Sequence, residues 1–314
     1  MTESVIHPTP GPGDWPSLPL NEWKGTCATL HMWTQIVGKT RLALAPMENH
    51  WWNVPLYVTP RGLTTSAVPC RTRTFEATFD FLDHELTVRV SDGGTRAMPL
   101  AARSVADFYA EYTAALRALG IDAAIWPVPV EVEDPVPFAA DTVHASYDAA
   151  YAERFWRALL QADRVLKRFR GRFLGKASPV HFFWGSFDLA ATRFSGRRAP
   201  VHPGGIPHLA DWVTREAYSH ECSSAGWWPG GRGVDAAFYA YAYPEPDGYP
   251  DAPVRPREAF YSPETRGFIL PYDTVRTASD RDGMLLDFFQ STYEAEAKLA
   301  GWDRAALERP ALGP

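Results

Sequence analysis

Two stretches far apart in the chain, DFYAEYTAALRALGID (Asp107 to Asp122) and FFQSTYEAEAKLAGWD (Phe288 to Asp303), align without a gap. The alignment pairs Phe108 with Phe289, Tyr112 with Tyr293, Gly120 with Gly301 and Asp122 with Asp303. Each stretch reads as an amphipathic helix stopped by glycine, the residue that enters the left-handed region without a steric cost. Ser104, three residues before Asp107, suits the N-cap of the first. A second correspondence lies upstream of each. A helical segment gives way to His50-Trp51-Trp52 in one place and to His181-Phe182-Phe183 in the other, and an alternating run follows both times. Two matches in the same order point to an internal duplication. The alternative is that aromatic-rich strands and glycine-stopped helices simply look alike.

The pattern predicts an α+β fold of two tandem halves. Each half is an antiparallel sheet packed by one helix before it and a closing helix after it, in a helix-grip-like arrangement. The clearest periodicity is Phe155, Leu159, Ala162, Leu166, Phe169 and Phe173, a single apolar stripe on a long helix. TFEATFDFLDHELTVRV reads as a hairpin with His84 in its turn, and FYAYAYPEP and GFILPYDTVRT read as strands of the second half. The expected organisation is a flexible proline-rich segment 1–20, a first half 21–130, a linker 131–147, a second half 148–305 and a flexible end 306–314.

An alternating strand pattern over a sizeable core fits 46% hydrophobic residues, and 12 Trp, 17 Phe and 13 Tyr suggest aromatic walls or a lined pocket. A net charge of −6 argues against nucleic acid as a partner. The N-terminus lacks the basic and apolar regions of a signal peptide, and no apolar run reaches the ~20 residues of a membrane span. Three scattered cysteines, Cys27, Cys70 and Cys222, make no disulfide framework. Together these lead to a cytoplasmic protein with a small-molecule partner and no membrane association.

Chemistry concentrates in one place. Between the second and third strands of the second half, residues 196–235 form a long insertion where the first half has only AVPCRTR. Asp211 is placed to cap a short helix over WVTREAYSHE, with Gly226 as its stop. On that helix Glu216 and His220, four residues apart, share a face. With His202 and His208 from the preceding loop they are candidate ligands for iron or zinc. His220 and Glu221 are the candidate catalytic groups, with Arg197 and Arg198 to orient an anionic substrate. His181, Trp184, Trp227 and Trp228 are candidate ligand-binding residues. GWWPGGRG reads as a loop over a pocket. There is no HExxH, nucleophile elbow, phosphate loop or dinucleotide fingerprint. The same residues also suit non-metal catalysis, ligand binding or a purely structural role. Nine of the 31 Lys and Arg fall between 164 and 198, either lining an anion site or forming a solvated helix face.

The blocks LHMWTQIVGKTRLAL, SPVHFFWGSFDLAATRFSGRRAP, HPGGIPHL, REAYSHE and FYAYAYPEP resemble a bacterial family catalogued as a domain of unknown function, over about Trp15 to Asp303. The resemblance implies one full-length family unit and supplies no activity. From the residues, the first functional expectation is a metal-dependent enzyme acting on a small anionic or aromatic molecule. The alternative is a non-catalytic protein that binds a small or lipid-like molecule in an aromatic-lined cavity.

Overall fold

The structure is a computed structural model and describes residues 14–231 and 233–309. The segments expected to be flexible, 1–20 and 306–314, therefore lie largely outside the described residues. Where they are described they are packed: Trp15 and Leu18 are buried, and Glu308 bridges to Phe173. Seven α-helices and two antiparallel sheets of six strands each give an α+β fold among the described residues. Among the described residues no helix is long and apolar enough to cross a membrane.

Helix α1 (Leu20–Leu44) precedes the first sheet, β1 (Tyr57–Thr59), β2 (Gly62–Thr64), β3 (Val68–Cys70), β4 (Arg73–Asp80), β5 (Glu85–Val90) and β6 (Thr95–Pro99). These strands lie in the order β1-β2-β4-β5-β6, with β3 also paired to β4, and α2 (Val105–Ala118) follows the sheet. A long connection leads to α3 (Ala149–Gly171). The second sheet follows: β7 (His181–Phe183), β8 (Asp188–Arg198), β9 (His220–Gly231), β10 (Val234–Tyr243), β11 (Phe260–Ser262) and β12 (Gly267–Pro271), in the order β11-β12-β10-β9-β8-β7. Helix α4 (Asp211–Ala217) lies between β8 and β9, and α5 (Tyr272–Thr277), α6 (Arg281–Leu299) and α7 (Arg304–Leu307) end the chain. The two sheets touch where Leu56 and Phe182 exchange both backbone hydrogen bonds at 2.9 Å.

Local chemistry accounts for the helix ends. Gly120 and Gly301 take φ of +67° and +63°, and the next residues, Ile121 and Trp302, donate back to Leu116 and Ala297 at 2.9 and 2.8 Å. This closes the last turn of α2 and of α6 and satisfies their terminal carbonyls. Ser104 accepts from Asp107 N at 3.0 Å, as the capping pattern predicts, and Asp148 and Asp280 cap α3 and α6 in the same way. Such caps contribute about 1 kcal/mol each. All six residues of the apolar stripe from Phe155 to Phe173 are buried. Helix α1 differs in being enclosed along most of its length, with Thr26, Thr34, Gln35, Lys39 and Arg41 buried among its apolar residues.

Several expectations change. His50 does not open a strand: it sits in a 3₁₀ turn with φ +56°, so the His-aromatic-aromatic correspondence with His181 does not extend to structure. The short helix ends at Ala217, not Gly226, and Asp211 is its first residue, with Ala210 at the cap. From His220 onward the chain is strand, and GWWPGG lies within β9 instead of forming a loop. The excursion is thus confined to residues 199–219. Tyr272–Thr277, read as the continuation of a strand, is helical. The basic stretch is largely occupied internally. Arg164 and Arg168 pair with Asp282, Lys167 with Asp163 and Arg197 with Glu221, while Arg193 is buried 3.5 Å from the Phe169 ring centroid.

Candidate functional site

Strand alternation gives the second sheet two different faces. Leu189, Ala191, Ala225, Trp227, Phe238 and Leu270 point to the buried core shared with the helices. On the other face, register sets His181, Ala190, Gly226, Tyr239 and Ile269 side by side across five strands. Neighbouring rows add Thr192, Ser224 and Tyr241 on one side and Phe183, Asp188, Trp228 and Ala237 on the other. Small residues at the middle of the central row leave a hollow, and the resulting cavity is about 830 Å³. Gly226 is required there. A Cβ on it would stand 2.2 Å from Leu189 O and 2.4 Å from Tyr239 Oη, so its absence lets the phenol lie across the strand.

The roof is the 199–219 excursion. Neighbouring antiparallel strands need only a two-residue turn to join them. The excess chain between β8 and β9 instead folds back over the open face and contributes Ile206, Leu209, Trp212, Val213 and Tyr218 to the wall. Five hydrogen bonds to the sheet and to neighbouring segments help hold it. Tyr218 Oη lies 2.9 Å from Tyr241 Oη on the sheet. Trp51 Nε1 donates to Val213 O at 2.9 Å and His50 Nδ1 to Ala217 O at 3.0 Å, while His50 N donates to Glu216 Oε1 at 3.0 Å. Glu131 N donates to His208 O at 3.2 Å, tying the roof to the segment that brings Trp126, Val130 and Glu131 to the wall. Gln35 in turn holds Val130 by both backbone groups, at 2.8 and 2.9 Å.

A few polar groups face this mostly apolar space. Asp188 is buried and accepts from Tyr239 Oη and Ser186 Oγ, and burial raises its pKa despite those donors. Glu131 is pushed up to about 7, first by burial and then by the charge of Asp188. Its backbone is left-handed, φ +58°, and its carboxylate lies against Gly185, where a Cβ would come within 2.2 Å of Oε1. A non-glycine residue held there costs about 1–3 kcal/mol, a strain that clusters at functional sites. His50 and Trp51, also wall residues, share the left-handed conformation. His181 is fully buried with neither ring nitrogen hydrogen-bonded, and burial, followed by the Arg41 and Arg170 charges, brings it down to about 3. It is therefore a neutral imidazole with both a donor and an acceptor unused. Burial lowers Lys39 to about 8 and leaves the Cys222 thiol well above its ordinary value.

The residues singled out from sequence scatter over this framework. His181, Trp184 and Trp228 line the cavity; Trp227 faces the opposite way, fully buried against Phe155 and Tyr272. His202 is packed between Tyr218 and Tyr243, with ring centroids 5.1 and 5.0 Å away. His208 is exposed, and its carbonyl serves Glu131. Glu216 turns to the backbone of His50, and His220 opens β9 with its ring 5.5 Å from that of His50. Among the described residues no three or more His, Cys, Asp or Glu side chains are arranged to hold a metal. The short helix ends at Ala217, so Glu216 sits on the helix and His220 on the strand that follows, and the two do not share a helix face. Neither Glu221 nor Arg197 is among the residues lining the cavity. They pair at 2.7 Å, and Arg197 caps α6 through Ala300 O at 2.7 Å. Arg198 is exposed beside His220.

Sequence reasoning missed Lys39, Glu131, Asp188 and the tyrosines. Two signals for them were present. His31, Gln35 and Lys39 recur at steps of four, a polar line on a largely apolar helix. Tyr239, Tyr241 and Tyr243 alternate along FYAYAY and so share one face of the strand. Glu131 gave no signal, since it lies in a segment read as a linker. A family model described as "Family of unknown function (DUF5996)" matches residues 15–309. No curated protein and no solved structure matches the chain.

Proposed function

Because the chain belongs to that family of unknown function, its role has to be read from its own cavity, and we propose that it binds a largely apolar small molecule between the second sheet and the 199–219 roof. The observation that carries this is the central row. Ala190 and Gly226 hollow the middle of a sheet whose flanking positions are aromatic, and a dedicated length of chain covers the hollow. Its volume falls within the ~300–1,000 Å³ of small-molecule sites, which are likewise apolar with a few convergent polar groups. Purified protein is examined by native mass spectrometry for a retained molecule and titrated calorimetrically with 2-naphthalenemethanol, a neutral apolar probe. Ala190→Trp fills the row and is expected to weaken binding at least tenfold while the variant stays folded by circular dichroism. Equal binding by that variant, or neither a retained molecule nor probe binding in wild type, overturns the reading.

One observation favours a catalytic variant of this role. Glu131 and Asp188 share the cavity with their affinities for protons raised, and such pairs supply general acids near neutral pH. Under that reading Glu131→Gln abolishes turnover of a bound molecule and leaves its affinity within about threefold. Affinity and turnover falling together would refute it.

A further inference from the structure

Three cations are buried among the described residues, Lys39, Arg41 and Arg193, and the protein provides for two of them. Arg41 donates to the carbonyls of Asn53 and Thr65. Arg193 donates to Phe169 O and lies against the rings of Phe169 and Tyr293, 3.5 and 4.4 Å from their centroids. Lys39 is the exception. It is 4% exposed and makes no hydrogen bond or ion pair; its ammonium rests only over the Trp184 ring, 5.5 Å from the centroid. Both residues belong to the cavity wall. Among the described residues no carboxylate acts on that ammonium, whose pKa is shifted by burial alone. A buried ammonium without a counter-ion is costly unless something enters to pair with it.

Resting on the cavity reading above, we propose that the ligand is an apolar carboxylic acid whose carboxylate pairs with the Lys39 ammonium while its aromatic or aliphatic body fills the hollow over Ala190 and Gly226. The single ammonium suits a monoanion. A phosphate group takes several donors, ideally guanidinium forks, and the buried arginines are already engaged with backbone carbonyls. The Glu131–Asp188 end of the cavity does not repel an acid strongly. Asp188 is already held by two hydroxyl donors, and Glu131, pushed up to about 7, carries a proton part of the time at neutral pH.

The test compares 2-naphthoate with its neutral counterpart 2-naphthalenemethanol, on full-length wild type, Lys39→Met and Ala190→Trp. Naphthoate is expected to bind wild type and to lose roughly tenfold to a hundredfold in Lys39→Met, the range for a hydrogen bond to a charged group. The alcohol should bind both proteins alike. Wild-type affinity for naphthoate should weaken above about pH 8, as the amine loses its proton, and the Met variant should show no such dependence. If the alcohol binds, is lost in Ala190→Trp, and naphthoate is indifferent to Lys39→Met, the cavity reading stands and this inference falls. If naphthoate does not bind wild type this inference falls, and if the alcohol also fails and no molecule is retained the cavity reading falls with it.

Discussion

Replacing Lys39 by Met is expected to stabilise the ligand-free protein at neutral pH, an unusual direction for a substitution at a buried site. Met keeps most of the length of the stem and its contact with Trp184, and it removes an ammonium that has no hydrogen-bond or ion-pair partner. Burial moves the Lys39 pKa from 10.5 to about 8, which corresponds to roughly 3 kcal/mol of destabilisation whenever the native state carries the charge. Water inside the cavity screens part of this, so about 2 kcal/mol is the expected gain. For a chain of this length that is a rise in melting temperature of about 3 °C. The pH dependence identifies the cause. Between about pH 8 and 10.5 the unfolded chain holds a proton on Lys39 that the native protein has lost, so wild-type stability rises with pH through that window relative to the variant. The advantage of Met should therefore be full below pH 8 and gone above about 10.5. Urea denaturation of ligand-stripped wild type and variant at pH 7, 9 and 10.5 measures it, and the difference between the two cancels the other groups that titrate. A variant less stable than wild type at pH 7, or a difference that does not change with pH, would refute the reasoning.

Gly226→Ala should cost about 2 kcal/mol or more, because the added carbon meets the Leu189 carbonyl on the neighbouring strand as well as the Tyr239 phenol; thermal melting checks this, and an unchanged midpoint would contradict the close approach. His181→Phe should leave stability at pH 7 within about 1 kcal/mol, since neither imidazole nitrogen has a partner to lose. Below pH 6.5 the unfolded chain takes up a proton at His181 that the native state refuses until about pH 3. Wild type should therefore fall behind the Phe variant by about 2 kcal/mol at pH 5, readable in parallel urea titrations. Arg197→Ala should lower stability by about 1 kcal/mol, through the lost Glu221 pair and the uncapped end of α6, and leave 2-naphthalenemethanol binding unchanged. A tenfold loss of binding would place Arg197 at the ligand.

Features governed by short-range rules could be read before any coordinates. The stops at Gly120 and Gly301, the cap at Ser104, the buried stripe of α3 and the β4–β5 hairpin with His84 in its turn all follow from steric and hydrogen-bonding preferences over a few residues. Helix α1 was harder, because a helix enclosed on most sides shows no clean alternation of apolar and polar faces. The segment from Tyr218 to Glu221 went wrong for a related reason. YSHE has no strong preference of its own, and pairing with β8 and β10 makes it strand from His220. That pairing puts Glu216 on a helix and His220 on a strand, instead of on one helix face.

Amino-acid order alone settled the class of the fold, the main helices and the existence of extra chain between two strands of the second half. Folding in three dimensions settled where that extra chain lies and what it encloses. A hollow is produced by Ala190 and Gly226 coming into one row with His181, Tyr239 and Ile269. Two of its polar residents, Lys39 and Glu131, arrive from a helix before the first sheet and from the connection between the two sheets. Local preferences act over one turn of chain, whereas the charge of Lys39 matters only because distant segments close around it and leave it unpaired.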